Sequence, residues 1–133
     1  MATLLYASIS STDYAAGTAS VSIPDREGQV IKAVPFIATC YDMPSPGDTV
    51  AAVFEEVGGE LGKGVILGRI FNTQNKPSGG GQGVFYKEFS DGARVSYSPN
   101  EKKMSITAEN LVINNLKAGD IDVGRITCTG INR

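Results

Sequence analysis

Ala19, Val21 and Ile23 alternate with Ser20 and Ser22, the period of a strand with one buried face. The run ends at Pro24-Asp25, and Asp25-Arg26-Glu27-Gly28 reads as a turn. A first short strand is predicted over Leu5–Ile9, and another over Val30–Val34. Met43-Pro44-Ser45-Pro46-Gly47-Asp48 is a proline-glycine loop. Thr49–Val57 predicts a long strand with Val50, Ala52, Phe54 and Glu56 on one face. Gly58–Gly64 reads as a turn. Val65–Phe71 is a nearly continuous apolar run, the pattern of a strand buried on both sides. Helical periodicity is hard to find. Short strands with glycine turns predict a small all-β barrel.

The pattern changes after Phe71. Asn72–Gly83 (NTQNKPSGGGQG) is polar and glycine-rich and reads as a flexible linker. The next strands are predicted over VFYKEF and ARVSYS in 84–98, joined at Ser90-Asp91-Gly92, with Asp-Gly as the hairpin signal. Asn100-Glu101-Lys102 makes another turn.

From Ile106 onward, apolar residues arrive two apart, and the pairs recur every five residues. The pairs are Ile106/Ala108, Leu111/Ile113, Leu116/Ala118, Ile121/Val123 and Ile126/Cys128, and Ile131 begins another. Turn residues separate them: Glu109-Asn110, Asn114-Asn115, Gly119-Asp120, Gly124-Arg125 and Thr129-Gly130. A three-residue strand places the outer two side chains on one face, and the turn pair redirects the chain. Such a pattern winds around an axis. A single-chain pentapeptide solenoid would complete little more than one coil, too little to bury its own interior. A prism shared by identical chains needs only part of each layer from each chain, and the short length favours it. Its ordering entropy is comparable to the burial it gains, so the tail is expected to be ordered only as an oligomer.

Composition narrows the chemistry. The chain has 133 residues and no histidine. That removes a Ser-His-Asp triad, a Cys-His pair and imidazole metal ligation, so no catalytic residue, cofactor or metal is expected. The net charge of −2 argues against binding a phosphate backbone. Cys40 and Cys128 are far apart and read as buried, inert thiols of a protein made in a reducing cytosol. The start MATLLYASIS lacks the basic and apolar regions of a signal peptide. Synthesis in the cytosol is the expectation, with lysis as a route out of the cell.

The motifs also come in a familiar order. Gly17–Asp25, Gly28 and Ala33-Val34-Pro35-Phe36 are followed by Pro46-Gly47-Asp48-Thr49-Val50-Ala51-Ala52-Val53-Phe54 and Lys63-Gly64-Val65-Ile66-Leu67-Gly68-Arg69-Ile70-Phe71-Asn72. Pro77, Ser90-Asp91-Gly92-Ala93-Arg94-Val95-Ser96-Tyr97 and Lys103-Met104-Ser105-Ile106 complete the set. This ordered set, spanning nearly the whole chain, resembles the phage baseplate assembly protein V family of contractile tails. The resemblance implies a homotrimeric tail spike. An OB-type barrel would occupy 1–77, a linker and β-hairpin 78–102, and an intertwined β-helical prism 103–133. The barrels would cap baseplate hub and tail-tube proteins, and a separate tip protein could sit on the C-terminus. Many such spikes end in an iron-binding His-x-His apex, which a chain without histidine does not have. The expected trimer core is Ile106, Ala108, Leu111, Ile113, Leu116, Ala118, Ile121, Val123, Ile126, Cys128 and Ile131.

Rival readings rest on weaker patterns. Gly58–Gly64 has three residues between Gly58 and Gly62 and no Ser or Thr after Lys63, so it departs from a phosphate loop. Glu55 and Glu56 are neighbours in a strand and should face opposite ways, unlike paired catalytic carboxylates. Gly79-Gly80-Gly81 reads as linker rather than an anion nest. An OB barrel could bind single-stranded nucleic acid, with Tyr86-Lys87 and Arg94–Tyr97 as the aromatic and basic elements.

Overall fold

The computed structural model describes residues 1–127. They are all-β apart from one 3-10 turn at Pro24–Arg26, and they form two compact units, the first Met1–Ser78 and the second beginning at Gly79.

The first unit is one curled sheet. Its strands are β1 (Ala2–Asp13), β2 (Thr18–Ile23), β3 (Gln29–Pro35), β4 (Thr49–Val57) and β5 (Glu60–Arg69). Their order is β3-β2-β1-β4-β5, with every neighbouring pair antiparallel. Just past β3, Phe36 bridges Ile66 of β5 in parallel, and the Ile37 N–H donates to the Ile66 carbonyl at 3.0 Å. The two edges of the sheet thus meet, which is compatible with an OB-like barrel. Register shifts at Ile9/Ser11, Ala19/Val21, Ala51/Ala52 and Phe54/Glu56 supply the bends that curl a sheet. The alternation seen in the sequence sets the interior: Leu5, Ala7 and Ile9 from β1, Ala19, Val21 and Ile23 from β2, Val34 from β3, Val50, Ala52 and Phe54 from β4, and Ile66 from β5.

Three expectations change here. β1 runs well beyond Leu5–Ile9 because it has two partners in turn: β4 along Ala2–Ser8 and β2 along Ser8–Asp13. The turn at Gly58–Gly64 shrinks to Gly58-Gly59, both at positive φ (61° and 83°), which suits a tight hairpin. Gly62 and Gly64 lie inside β5, and a Cβ on Gly64 would overlap the Phe54 ring, so this glycine makes room for the largest core side chain. Finally, Val65–Phe71 is not buried on both faces. Ile66 points inward at 0% exposure while Leu67 is 43% exposed, because only the inner face of the curled sheet is covered.

The second unit opens with a three-stranded antiparallel sheet of β6 (Phe85–Glu88), β7 (Arg94–Ser98) and β8 (Lys103–Thr107). The expected Asp-Gly hairpin is present. The Asp91 carboxylate accepts the Ala93 N–H at 3.0 Å, and Gly92 takes φ 90°. Residues 103–107, the head of the segment expected to form the prism, form the third strand of this sheet. The preceding linker begins with a tight turn, in which Asn72 Oδ1 accepts the N–H groups of Gln74 and Asn75 at 2.9 and 2.7 Å. Beyond Thr107 the backbone has no strand among the described residues, but it bends at Glu109, Asn114, Gly119 and Gly124.

Candidate functional site

Strand parity divides the β6–β8 sheet into two unlike faces. Phe85, Tyr97 and Met104 form one cross-strand row, and Lys87, Val95 and Ile106 form the next row on the same face. The opposite face carries Tyr86, Ser96 and Ser105, then Glu88, Arg94 and Thr107. Phe85, Tyr97, Met104 and Ile106 are exposed on the first face, where Lys87 and Val95 are partly buried; on the opposite face Tyr86, Ser96, Ser105, Glu88 and Arg94 are partly buried and Thr107 is exposed. Gly79 lies on this polar face: a Cβ there would sit 3.4 Å from Arg94 Nη1 and 3.8 Å from the Tyr86 ring.

The C-terminal row continues the exposed apolar surface. Ile106, opposite Val95 in the sheet, leads to Ala108, Leu111, Ile113, Leu116, Ala118, Ile121, Val123 and Ile126, all exposed within the single chain. Among the described residues the bends fall on Glu109, Asn114, Gly119 and Gly124, the first residue of each turn pair there, one every five residues. The faces are legible too. Val112, the middle residue of its triplet, is 89% exposed, whereas the flanking Leu111 and Ile113 are 60% and 51% exposed. Among the described residues, 108–127 make no backbone hydrogen bond to the rest of the chain. Cys128 and Ile131, also expected in the trimer core, lie outside the described residues.

The strand alternation Phe85-x-Lys87-x-Phe89, Val95-x-Tyr97 and Met104-x-Ile106 was the signal for the apolar sheet face.

A second apolar surface lies on the outside of the curled sheet. Leu4 of β1 opposes Val53 of β4, which opposes Val65 of β5, and Tyr6 opposes Ala51. Leu4, Tyr6 and Leu67 are exposed there.

The rival sites come apart. Glu56 Oε1 is 2.9 Å from Arg26 Nη2, and Arg26 Nη1 also donates to the Gly59 carbonyl at 3.0 Å. This carboxylate ties the 3-10 turn to the β4–β5 hairpin. Glu55 is on the opposite, exposed side of β4, so the two acids do not converge. Tyr86 and Arg94 share the polar face of the β6–β8 sheet with Glu88, whose Oε1 is 3.8 Å from Arg94 Nη2, while Tyr97 is on the other face. The candidates of the nucleic-acid reading thus fall on two faces, Tyr86 with Arg94 on one and Tyr97 with Lys87 on the other. No group of His, Cys, Asp or Glu able to hold a metal occurs among the described residues.

Cys40 is exposed, correcting the expectation of a buried thiol. It lines an open pocket of about 200 Å³ with Phe36, Ile37 and Met43, beside Tyr41, whose hydroxyl donates to the Tyr14 carbonyl at 2.9 Å. The loop 36–48 crosses the surface rather than the interior, which explains the exposure. No helix among the described residues is long and apolar enough to cross a membrane. The sequence matches no protein-family model and no curated protein.

Proposed function

We propose that the chain is the homotrimeric central spike of a contractile phage tail, a tailocin or a related injection particle. It acts mechanically and not as an enzyme. The observation that carries this reading is the segment 108–127. Its backbone bends every five residues, its apolar pairs are in water, and its N–H and C=O groups are left for other chains among the described residues. Buried in a prism with identical segments, the apolar pairs would form a core and the backbone groups would form shared ladders with few free edges.

In this reading the curled sheet of residues 1–78 is an OB-type barrel that seats on hub and tube proteins. The order β3-β2-β1-β4-β5 with the parallel Phe36–Ile66 closure supports that assignment. The outer row through the exposed Leu4 and the partly buried Val53 and Val65 offers it an apolar contact surface. A shaft whose chains must separate together to unfold is kinetically stable, as an envelope-piercing wedge requires.

The test is the mass of the purified full chain in solution by light scattering, followed by mass spectrometry of intact particles carrying it. Three copies, found alongside tail-tube and sheath proteins, are expected. A monomer at micromolar concentration overturns the spike reading.

A further inference from the structure

Around Ser20 the outer face of β1, β2 and β3 is polar and dented. Ser20 points outward between the buried Ala19 and Val21. Both neighbouring strands carry one residue more than β2 at this place. On β1 the pairing passes from Ile9–Val21 to Ser11–Ser20, and on β3 from Val34–Ala19 to Ile31–Val21. Two bulges therefore flank one serine. In the second of them Ala33 takes φ 55°, a left-handed conformation that an alanine holds only where its surroundings impose it. Bulges re-aim side chains out of the ladder. Here they border an open hollow of about 240 Å³, whose lining includes Ser11, Asp13, Thr18, Ser20, Lys32 and Ala33. The hydroxyls of Ser11, Thr18 and Ser20 and the Lys32 ammonium make no hydrogen bond or ion pair among the described residues. Asp13 Oδ1 accepts the Ala16 N–H at 3.1 Å, which holds the carboxylate in place and leaves Oδ2 for another donor.

This lining selects its ligand by chemistry. Lys32 only donates, the Asp13 carboxylate only accepts, and the three hydroxyls do both. One cation and one anion cancel, and no arginine fork is among the lining residues. A phosphate or sulfate would therefore face the Asp13 carboxylate as well as Lys32, and lose at one what it gains at the other. A neutral molecule with several hydroxyl groups can satisfy both. Asp13 on β1 and Lys32 on β3 belong to strands two spacings apart, about 10 Å. A ligand that reaches both is about one sugar ring wide. The volume, below the roughly 300–1,000 Å³ of drug-sized sites, also suits a single ring. We infer that this hollow is a saccharide-binding site, in which Asp13 accepts from and Lys32 donates to hydroxyl groups on opposite sides of one sugar ring, with Ser11, Thr18 and Ser20 between them. The site lies wholly within the first unit and is independent of the oligomeric reading above. The shared chemistry is a ring with neighbouring hydroxyls, carried by a free sugar or by the terminal residue of a glycan.

The test is a titration of the full chain, followed by backbone amide NMR, with glucose, galactose, mannose and N-acetylglucosamine, with their methyl glycosides, and with inorganic phosphate. At least one sugar should give saturable shifts at the amides of Ser11, Ser20 and Ala33, with a dissociation constant of about millimolar. Asp13→Asn and Lys32→Met should each weaken that binding about tenfold, while amide shifts elsewhere in the first unit show that the variants are folded. Equal binding of the methyl glycoside, whose anomeric oxygen is capped as in a chain, assigns the site to a glycan end; binding of the uncapped sugar alone assigns it to a free sugar. Either result supports the inference. No shift with any of the sugars overturns it, as does unchanged affinity in both variants. Shifts of the same amides with phosphate and not with sugars overturn it in favour of an anion site. None of these outcomes bears on the number of copies, so the spike reading stands or falls separately.

Discussion

Residues 1–78 and residues 79–127 obey opposite rules. In the first unit each strand turns one alternating set of apolar residues inward, and every buried apolar residue among the described residues belongs to it, from Leu5 to Ile66. In the second, no described residue is buried, although the segment is rich in Leu, Ile and Val. Hydropathy alone does not separate the two. The difference is closure. Five strands curl until Phe36 meets Ile66, and the sheet becomes its own partner. Three strands and a bent tail cannot enclose anything. In the proposed spike a segment with strong alternation and no interior is half of an interface, whereas the same alternation on the curled sheet is a core.

Cutting the chain after Ser78 gives the largest effect expected from this contrast. The fragment should remain folded, with a cooperative thermal transition followed by circular dichroism, and should be monomeric by light scattering. A stable trimer from residues 1–78 would move the proposed interface to the first unit. Next, Leu116→Ser combined with Ile121→Ser should weaken assembly by about 5 kcal/mol per chain, the usual cost of removing two large apolar side chains from a core. Light scattering on heating should show earlier dissociation, while the transition of the first unit stays where it was. An unchanged assembly would mean that the five-residue row faces solvent in the oligomer as it does in the single chain.

Gly64→Val tests the other side of the comparison. The added side chain would collide with the Phe54 ring, and overpacking of this kind costs about 1–3 kcal/mol. Urea unfolding of the first unit should register the loss with no change in oligomeric mass. Smallest of all is Glu56→Gln. It weakens the ion pair with Arg26, whose partners are about a quarter exposed, and should cost less than about 1 kcal/mol in urea unfolding. Neither Glu56→Gln nor Glu55→Gln should alter infection or killing by the particle. Loss of activity in particles that still assemble and contract would point to an enzymatic role for these acids.

Much of the first unit was legible because alternation is local. Ser20 and Ser22 between Ala19, Val21 and Ile23 announce β2, and Val50, Ala52 and Phe54 announce the inner face of β4. The start of β5 was not legible. Gly62 and Gly64 look like turn residues, and only the ring of Phe54 on the neighbouring strand shows why glycine sits inside a strand there. The full length of β1 was hidden for a related reason, since Ser10–Asp13 is polar and is held by its pairing with β2. In the second unit the five-residue spacing was readable and the backbone bends follow it. The unusual face of the β6–β8 sheet was not read, because alternation in short strands says which residues share a side and not which side is wet.

The bends at Glu109, Asn114, Gly119 and Gly124 also make the length of the tail a quantised property. Each step of the tail is one triplet and one corner, so a whole repeat can be added or removed without disturbing the positions before or after it. An insertion of a single residue has no such neutrality. It shifts every later corner and sends every later apolar pair toward the side now held by Val112 and Lys117. In the proposed spike the reach of the tail is therefore open to change only in fixed increments of five residues, like the graduations of a ruler, while the curled sheet of the first unit is left untouched.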